Sequence, residues 1–244
     1  MCLDETRAWN ILRSQIKYLI TTLSYENHIF ADISIIANIC EKIFTVFTHL
    51  TAFTLCEASY RNCTRLAFNG TSLRDFRSSM LLTLKISVVD FEDCLRLLDG
   101  RFDQLHTLFV DMLDVCQPLD IVNEVSFVNE KIQSFMKLLR SFLKGNLPNL
   151  RCFSLSCTEP ILGYDQTILP LLYRMANLEQ LHLYITVLVI KTLIDGNQLQ
   201  VDIINHMPRL NHFAFFIHSS LYYYKEVNYP STEDISICTC RVFT

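Results

Sequence analysis

Two cysteines near the end of the sequence have the spacing best suited to metal binding. Cys238 and Cys240 form a C-x-C pair, which zinc sites combine with a second Cys or His pair. The sequence contains no such second pair downstream. Its 7 histidines include no H-E-x-x-H motif and no pair at the one-turn spacing of a helical metal site. We therefore expect no metal ligands.

Catalytic chemistry lacks its usual sequence motifs. There is no G-x-S-x-G elbow for a nucleophilic serine, and the 5 glycines lie too far apart to form a phosphate-binding loop. No acid, base and nucleophile converge in a recognisable set. We expect a protein that is not an enzyme and needs no cofactor. An enzyme with a site assembled from scattered residues is the less favoured alternative.

Composition limits the classes of partner. With 50% hydrophobic and 19% charged residues the chain has enough apolar surface to fold. Its net charge of -4 supplies no broad positive field, so neither nucleic acid nor an anionic membrane is an expected partner.

The termini and cysteines bear on the compartment. Residues 1–10 have no apolar core of the kind that a signal peptide requires. Apart from Cys238 and Cys240, the cysteines are scattered singly, as is typical of reduced thiols inside a folded core. We therefore expect an intracellular protein, cytoplasmic or nuclear.

An internal repeat indicates the elements that position the side chains. The clearest copies are LPNLRCFSL at 147–155, MANLEQLHL at 175–183 and MPRLNHFAF at 207–215. Counted from Leu150, Leu178 and Leu210, each copy has apolar residues at i, i+3 and i+5. This is the L-x-x-L-x-L core of a leucine-rich repeat, which contains a short inward-facing strand. The same spacing occurs elsewhere, so that repeats start near positions 16, 50, 81, 105, 150, 178 and 210.

Segments of helical character separate the predicted strands. Asp90 precedes a helix at 91–98 with Gly100 beyond its end, and Asn129 opens a longer helix that stops at Gly145. Asp32 begins another helix, and the pattern at 201–207 predicts a helix ended by Pro208.

This alternation predicts an α/β fold, an irregular leucine-rich-repeat solenoid with short parallel strands on the concave side and helices on the convex side. The predicted domain spans 1–220, and 221–244 is a C-terminal tail or a truncated further repeat. An ordinary doubly wound α/β domain is the alternative. It predicts continuous Val and Ile strands and a glycine turn at some strand end, and neither feature is prominent in the sequence.

The register also predicts a binding surface. Residues between and after the inward leucines face the concave side, where solenoids usually bind partners. These positions combine aromatic and small polar side chains, which suit a protein surface. The predicted partner-binding residues are Lys85, Phe109, Asp111, Ser154, His182, Tyr184 and Phe216, and Ser87, Ser156 and Ala214 share the same face.

A basic amphipathic helix offers a competing surface. The segment 130–144 places Lys131, Lys137, Arg140 and Lys144 away from its apolar side. Such a helix can bind membranes or acidic grooves. We favour a solvated outer helix, because a helix that covers a repeat sheet needs a polar face in any case.

The junctions between helix and leucine strand carry a family resemblance. They read LPNLRCFSL, ILPLLYRMANLEQLHLY, IINHMPRLNHFAF and CLRLLDGRFDQLHTLFV. From about Ile11 to Asp234 the chain resembles the leucine-rich region of F-box-type proteins, specifically an expanded family in bdelloid rotifers. The resemblance implies repeats that hold the substrate of a cullin ubiquitin ligase, whose adaptor binds an N-terminal F-box.

The resemblance leads to two functional hypotheses. The first is the non-catalytic substrate-binding repeat region of an F-box-type ubiquitin ligase receptor, with a protein partner on the concave strand face. The second is a free-standing leucine-rich-repeat binding or inhibitor protein without a ligase role. No F-box precedes the first repeat here, so we expect contact with the ligase adaptor only if an F-box lies upstream.

Overall fold

The computed structural model describes residues 13–23, 33–57, 77–112, 146–157, 159–162, 164–189, 194–221 and 237–243. The strands are β1 Tyr18–Leu23, β2 Ala52–Glu57, β3 Thr83–Val88, β4 Thr107–Met112, β5 Cys152–Cys157, β6 Ile161–Leu162, β7 Gln180–Val189, β8 His212–Leu221 and β9 Ile237–Phe243. The helices are α1 Ile33–Val46, α2 Phe91–Leu97, α3 Tyr164–Leu172 and α4 Gly196–Asp202, with a 3₁₀ turn at Ile204–His206.

The strands form one open sheet whose order follows the chain. Strands β1, β2, β3, β4, β5, β7 and β8 are hydrogen-bonded in that sequence, and every neighbouring pair is parallel. The predicted α/β class is confirmed. A doubly wound sheet reverses its strand order at a switch point, and the described strands contain no such reversal.

Two further strands pair with β7 and β8. The two-residue β6 pairs in parallel with the far part of β7, and β9 pairs antiparallel with β8. Because β9 falls within the predicted tail at 221–244, its direction is informative. A further repeat would add a parallel strand, whereas β9 runs the opposite way.

The strand register aligns the apolar positions that the sequence pattern singled out. Leu181 pairs with Phe153 on one side and with Phe213 on the other. The same row continues through the other strands to Leu19, and all of its members except the half-buried Leu19 are buried. The row consists of Leu19, Phe53, Leu84, Leu108, Phe153, Leu181 and Phe213.

One backbone arrangement recurs at each of the six junctions between these strands. The carbonyl of Arg151 accepts two hydrogen bonds, from the N–H of Glu179 at 2.7 Å and of Gln180 at 3.0 Å. Equivalent carbonyls accept the same pair of bonds from the strand that follows. They belong to Lys17, Thr51, Leu82, His106, Arg151 and Glu179.

The turn before each strand also recurs, with side chains joining successive turns. The N–H of Leu178 donates to the carbonyl of Met175, and the turns before β2, β4, β5 and β8 have the equivalent bond. The amide nitrogen of Asn177 donates to the carbonyl of Pro148 at 2.9 Å, as that of Asn149 does to Asp103 at 2.8 Å. These bonds satisfy turn carbonyls that would otherwise lack partners.

Two of the predicted helix starts are confirmed. The side chain of Asp90 caps α2 by accepting from the N–H of Asp93 at 2.8 Å, and Gly100 has a φ of 95°. Helix α1 begins directly after Asp32, as predicted. The helix predicted at 129–145 lies outside the described residues.

Two helical segments differ from the sequence prediction. The helix predicted at 201–207 begins earlier, at Gly196, because the Asp195 side chain accepts from the N–H of Gln198 and caps it there. A 3₁₀ turn then completes the segment before Pro208. Helix α3 was not predicted and contains Pro170, a residue that normally ends a helix. Its buried Ile168, Leu169, Leu171 and Leu172 hold it against the core.

A buried arginine links helices α2 and α3. Arg174 follows α3 and donates from Nη2 to the carbonyl of Leu98, the C-cap residue of α2, at 2.8 Å. Helix C-termini leave carbonyls without intrahelical partners, and this bond satisfies one of them inside the core. Burial lowers the pKa of Arg174.

We predict that Leu181→Ala destabilises the protein by about 2 to 5 kcal/mol, the range for a large core residue cut to a methyl group. Leu181 is fully buried in the central row. Urea unfolding followed by circular dichroism measures the loss. Lys85→Ala, on the exposed face of β3, is the matched control and should change stability by less than about 0.5 kcal/mol. Equal losses for the two variants would contradict the assigned register.

Candidate protein-binding face

The sheet has one covered and one open face. Along β3 the side chains of Leu84, Ile86 and Val88 are buried, whereas Lys85 is exposed and Ser87 is half-buried. Successive strand residues point to opposite faces, so this alternation separates the core side from the side that no described element covers. We call the side that carries Lys85 the open face.

The predicted partner-binding residues all lie on the open face. The register places them in two adjacent rows that cross the strands. The first row contains Lys85, Phe109, Ser154, His182 and Ala214. The second row contains Ser87, Asp111, Ser156, Tyr184 and Phe216.

The aromatic members differ in how much surface they offer. Tyr184 and Phe216 pair across β7 and β8 and are 47% and 37% exposed, while Phe109 is half-buried. Ala214 shares their face but is only 9% exposed, because its short side chain lies between His212 and Phe216 on the same strand. Ala214 therefore lies at the base of the open face and offers little accessible surface.

Strand β5 carries small side chains on the open face, between larger side chains on β4 and β7. Strand β5 presents Cys152, Ser154 and Ser156 to the open face, between Phe109 on β4 and Tyr184 on β7. Neighbouring strands lie about 4.8 Å apart, so β4 and β7 are separated by roughly 9.6 Å. Within the two rows, β5 presents smaller side chains than β4 and β7.

Two strongly exposed apolar residues at the other end of the face were not predicted. Tyr18 and Ile20 are 76% and 71% exposed, and the register places them beside Ala52 and Thr54 of β2. The first repeat is the weakest copy because Thr21 stands where the third apolar residue belongs. The alternation around the half-buried Leu19 was the only available signal.

Two histidines meet on the open face next to the exposed aromatic pair. The rings of His182 and His212 contact edge to face, with centroids 5.2 Å apart and an interplanar angle of 79°. The buried Nε2 of His182 has no hydrogen-bond partner. Burial, with a smaller contribution from His212, lowers the pKa of His182. Burial therefore disfavours the protonated form of His182.

The cysteines of the core are poor nucleophiles. Cys40, Cys94, Cys152 and Cys157 are free and buried. Burial raises the pKa of Cys40 to about 12 and also raises those of Cys94 and Cys152. A thiolate is the reactive form of cysteine, so burial disfavours nucleophilic chemistry at Cys40, Cys94 and Cys152.

The described side chains contain no group of three or more His, Cys, Asp or Glu residues arranged to hold a metal ion. The side chains of Cys238 and Cys240 lie outside the described part, as do Lys131, Lys137, Arg140 and Lys144 of the predicted basic helix. Among the helices that the structure describes, none is both long and apolar enough to cross a membrane.

Comparison with known proteins adds no relative. The chain matches no protein-family model, and no curated protein matches its sequence.

We predict that His182 makes folding stability depend on pH. Its pKa is lower in the folded chain than the unfolded value of about 6.5, so the unfolded chain binds the proton more readily. The stability due to neutral His182 is complete above that value and is lost as the pH falls through the folded pKa.

Urea unfolding at pH 7.5 and at pH 5.0 tests this sign. The fall in midpoint between the two pH values should be smaller in His182→Gln than in the wild type. His106→Gln, at an exposed position before β4, is the matched control and should leave the fall unchanged. An identical pH dependence in the wild type and His182→Gln would rule out this role.

Proposed function

We propose that this chain is a non-catalytic protein-interaction module, an irregular leucine-rich-repeat solenoid whose open face binds a protein partner. The observation that carries the proposal is the exposed pair Tyr184 and Phe216, which are neighbours in the second of the two open-face rows. The two residues pair across β7 and β8, and both side chains are exposed.

Repetition of backbone geometry supports the solenoid. A repeat protein places the same strand and the same turn beside its predecessor, so its hydrogen bonds recur at each junction. The doubled bonds to the carbonyls of Arg151 and Glu179 are two instances of a pattern that recurs at six junctions. A strand order that follows the chain order is what stacked repeats produce.

The chemistry of the open face supports a protein partner rather than a charged polymer. The two rows contain one basic residue, Lys85, and one acidic residue, Asp111, so they have no net charge. Nucleic-acid surfaces need clustered positive charge. Aromatic rings among small polar residues are typical of the energetically important centre of protein interfaces.

The finer assignment is the substrate-binding region of an F-box-type ubiquitin ligase receptor in the cytoplasm or nucleus. Its support is the family resemblance of the strand junctions. A free-standing binding or inhibitor protein would use the same open face. The two roles differ in whether the bound protein is ubiquitinated, so partner binding is tested first.

Selection from a displayed peptide library tests binding even though the natural partner is unidentified. Random peptides are selected on the immobilised chain, and the affinity of each is measured on the wild type and on the double variant Tyr184→Ala, Phe216→Ala. Loss of two aromatic anchors should weaken binding at least about tenfold, since one such anchor is worth about 2 kcal/mol or more.

A tyrosine outside the open face provides the matched control. Tyr173 is 42% exposed, follows helix α3 and stacks on His206. Tyr173→Ala should leave the selected peptides bound with wild-type affinity. If charge reversal of Lys137 and Arg140 weakens binding while the double variant does not, the basic helix is the binding surface and the open-face proposal fails.

A further inference from the structure

The histidine pair lies within the proposed binding surface. His182 and Tyr184 occupy consecutive open-face positions of β7, while His212, Ala214 and Phe216 do so on β8. A partner that covers the exposed rings of Tyr184 and Phe216 therefore also covers one or both imidazoles. The short side chain of Ala214 lets it approach them closely.

The described groups around His182 offer no compensating negative charge at close range. Its neighbours on the open face are Ser154 and Cys152 on β5, Gln180 and Tyr184 on β7, and Ala214, His212 and Phe216 on β8. Next to these, His218 on β8 also has a buried Nε2 without a hydrogen-bond partner.

Charged groups stand farther away. Asp111 lies on β4 and Lys85 on β3, two and three strands from His182. At about 4.8 Å per strand these separations exceed the screening length of roughly 8 Å at physiological salt. Glu179 precedes β7 and faces Arg151, with 3.9 Å between carboxylate oxygen and guanidinium nitrogen. Among the described residues, the ionisable side chain whose ring contacts His182 is that of His212.

We infer that binding at the open face is pH-dependent and that an apolar partner is released on acidification. The inference rests on the proposed function. Two imidazoles 5.2 Å apart repel each other when both are protonated. An apolar partner that covers them removes the water that solvates their charged forms, so the bound state takes up protons less readily than the free state.

The coupling between proton binding and partner binding determines the direction and the size of the change in affinity. Covering the pair lowers its proton affinity relative to the free chain, so affinity for the partner is highest at neutral pH and falls as the free chain becomes protonated. A displacement of one pKa unit between free and bound states changes affinity by up to tenfold. We expect the dissociation constant to rise roughly three- to tenfold between pH 7.5 and pH 5.0.

A peptide selected at pH 7.5 and dependent on Tyr184 serves as the probe. The peptide used has no titratable side chain and blocked ends, so that any pH dependence comes from the protein. Its dissociation constant is measured by fluorescence anisotropy at both pH values. Circular dichroism reports the folded fraction at each pH, by which the constants are corrected.

Two double variants separate the histidine pair from a general effect of pH. In His182→Gln, His212→Gln, the ratio of the dissociation constants at pH 5.0 and pH 7.5 should shrink to less than about twofold, and this ratio is compared whatever the affinity of the variant at pH 7.5. His106→Gln, His206→Gln should show the full wild-type rise.

The outcomes separate a failure of the pH inference from a failure of the proposed function. A wild-type constant that changes less than about twofold, or a full rise in the His182 and His212 double variant, overturns the pH inference while the open face remains a binding surface. If no selected peptide depends on Tyr184 or Phe216, the proposed function fails and the pH inference fails with it.

Discussion

The doubled hydrogen bond at the start of each strand is the interaction on which the rest of the structure depends. One carbonyl of each strand entry accepts from two successive N–H groups of the next strand, as Arg151 does from Glu179 and Gln180. These bonds recur at each of the six strand junctions, and the buried apolar row selects the register in which they form. Since strand side chains alternate with a period of two, a slip of one residue would expose Leu181 and bury His182. The core and the open face therefore follow from the same register.

The same constraint explains how the sheet tolerates connections of unequal length. The doubled bonds and the turn bond of Leu178 to Met175 are local to the strand entry, so they do not depend on what precedes the turn. The chain between β4 and β5 is much longer than that between β3 and β4, yet both pairs are in register over six residues. Long connections cost little additional closure entropy. Irregular repeat spacing is therefore compatible with a regular sheet.

The limits of sequence prediction follow from the range of the interactions. Apolar spacing at i, i+3 and i+5 predicted the strands correctly because it reports burial on one face of a short extended segment. Helix α3 was missed because Pro170 disfavours a helix locally, whereas four buried apolar side chains favour it through contacts with the core. Tyr18 and Ile20 were missed because Thr21 interrupts the pattern. The contact of His182 with His212 depends on the register of two strands, which neither segment encodes alone.

Under the proposed function, the open face would recognise a partner without strong charge. Tyr184 and Phe216 are held on strands whose opposite sides are buried, so little conformational freedom remains for a partner to remove. In that role, the serines of β5 would provide hydroxyl groups for polar groups of a partner. With Lys85 and Asp111 as the only charges in the two rows, long-range attraction would be weak. Discrimination between partners would then come from shape and from the cost of covering the histidine pair.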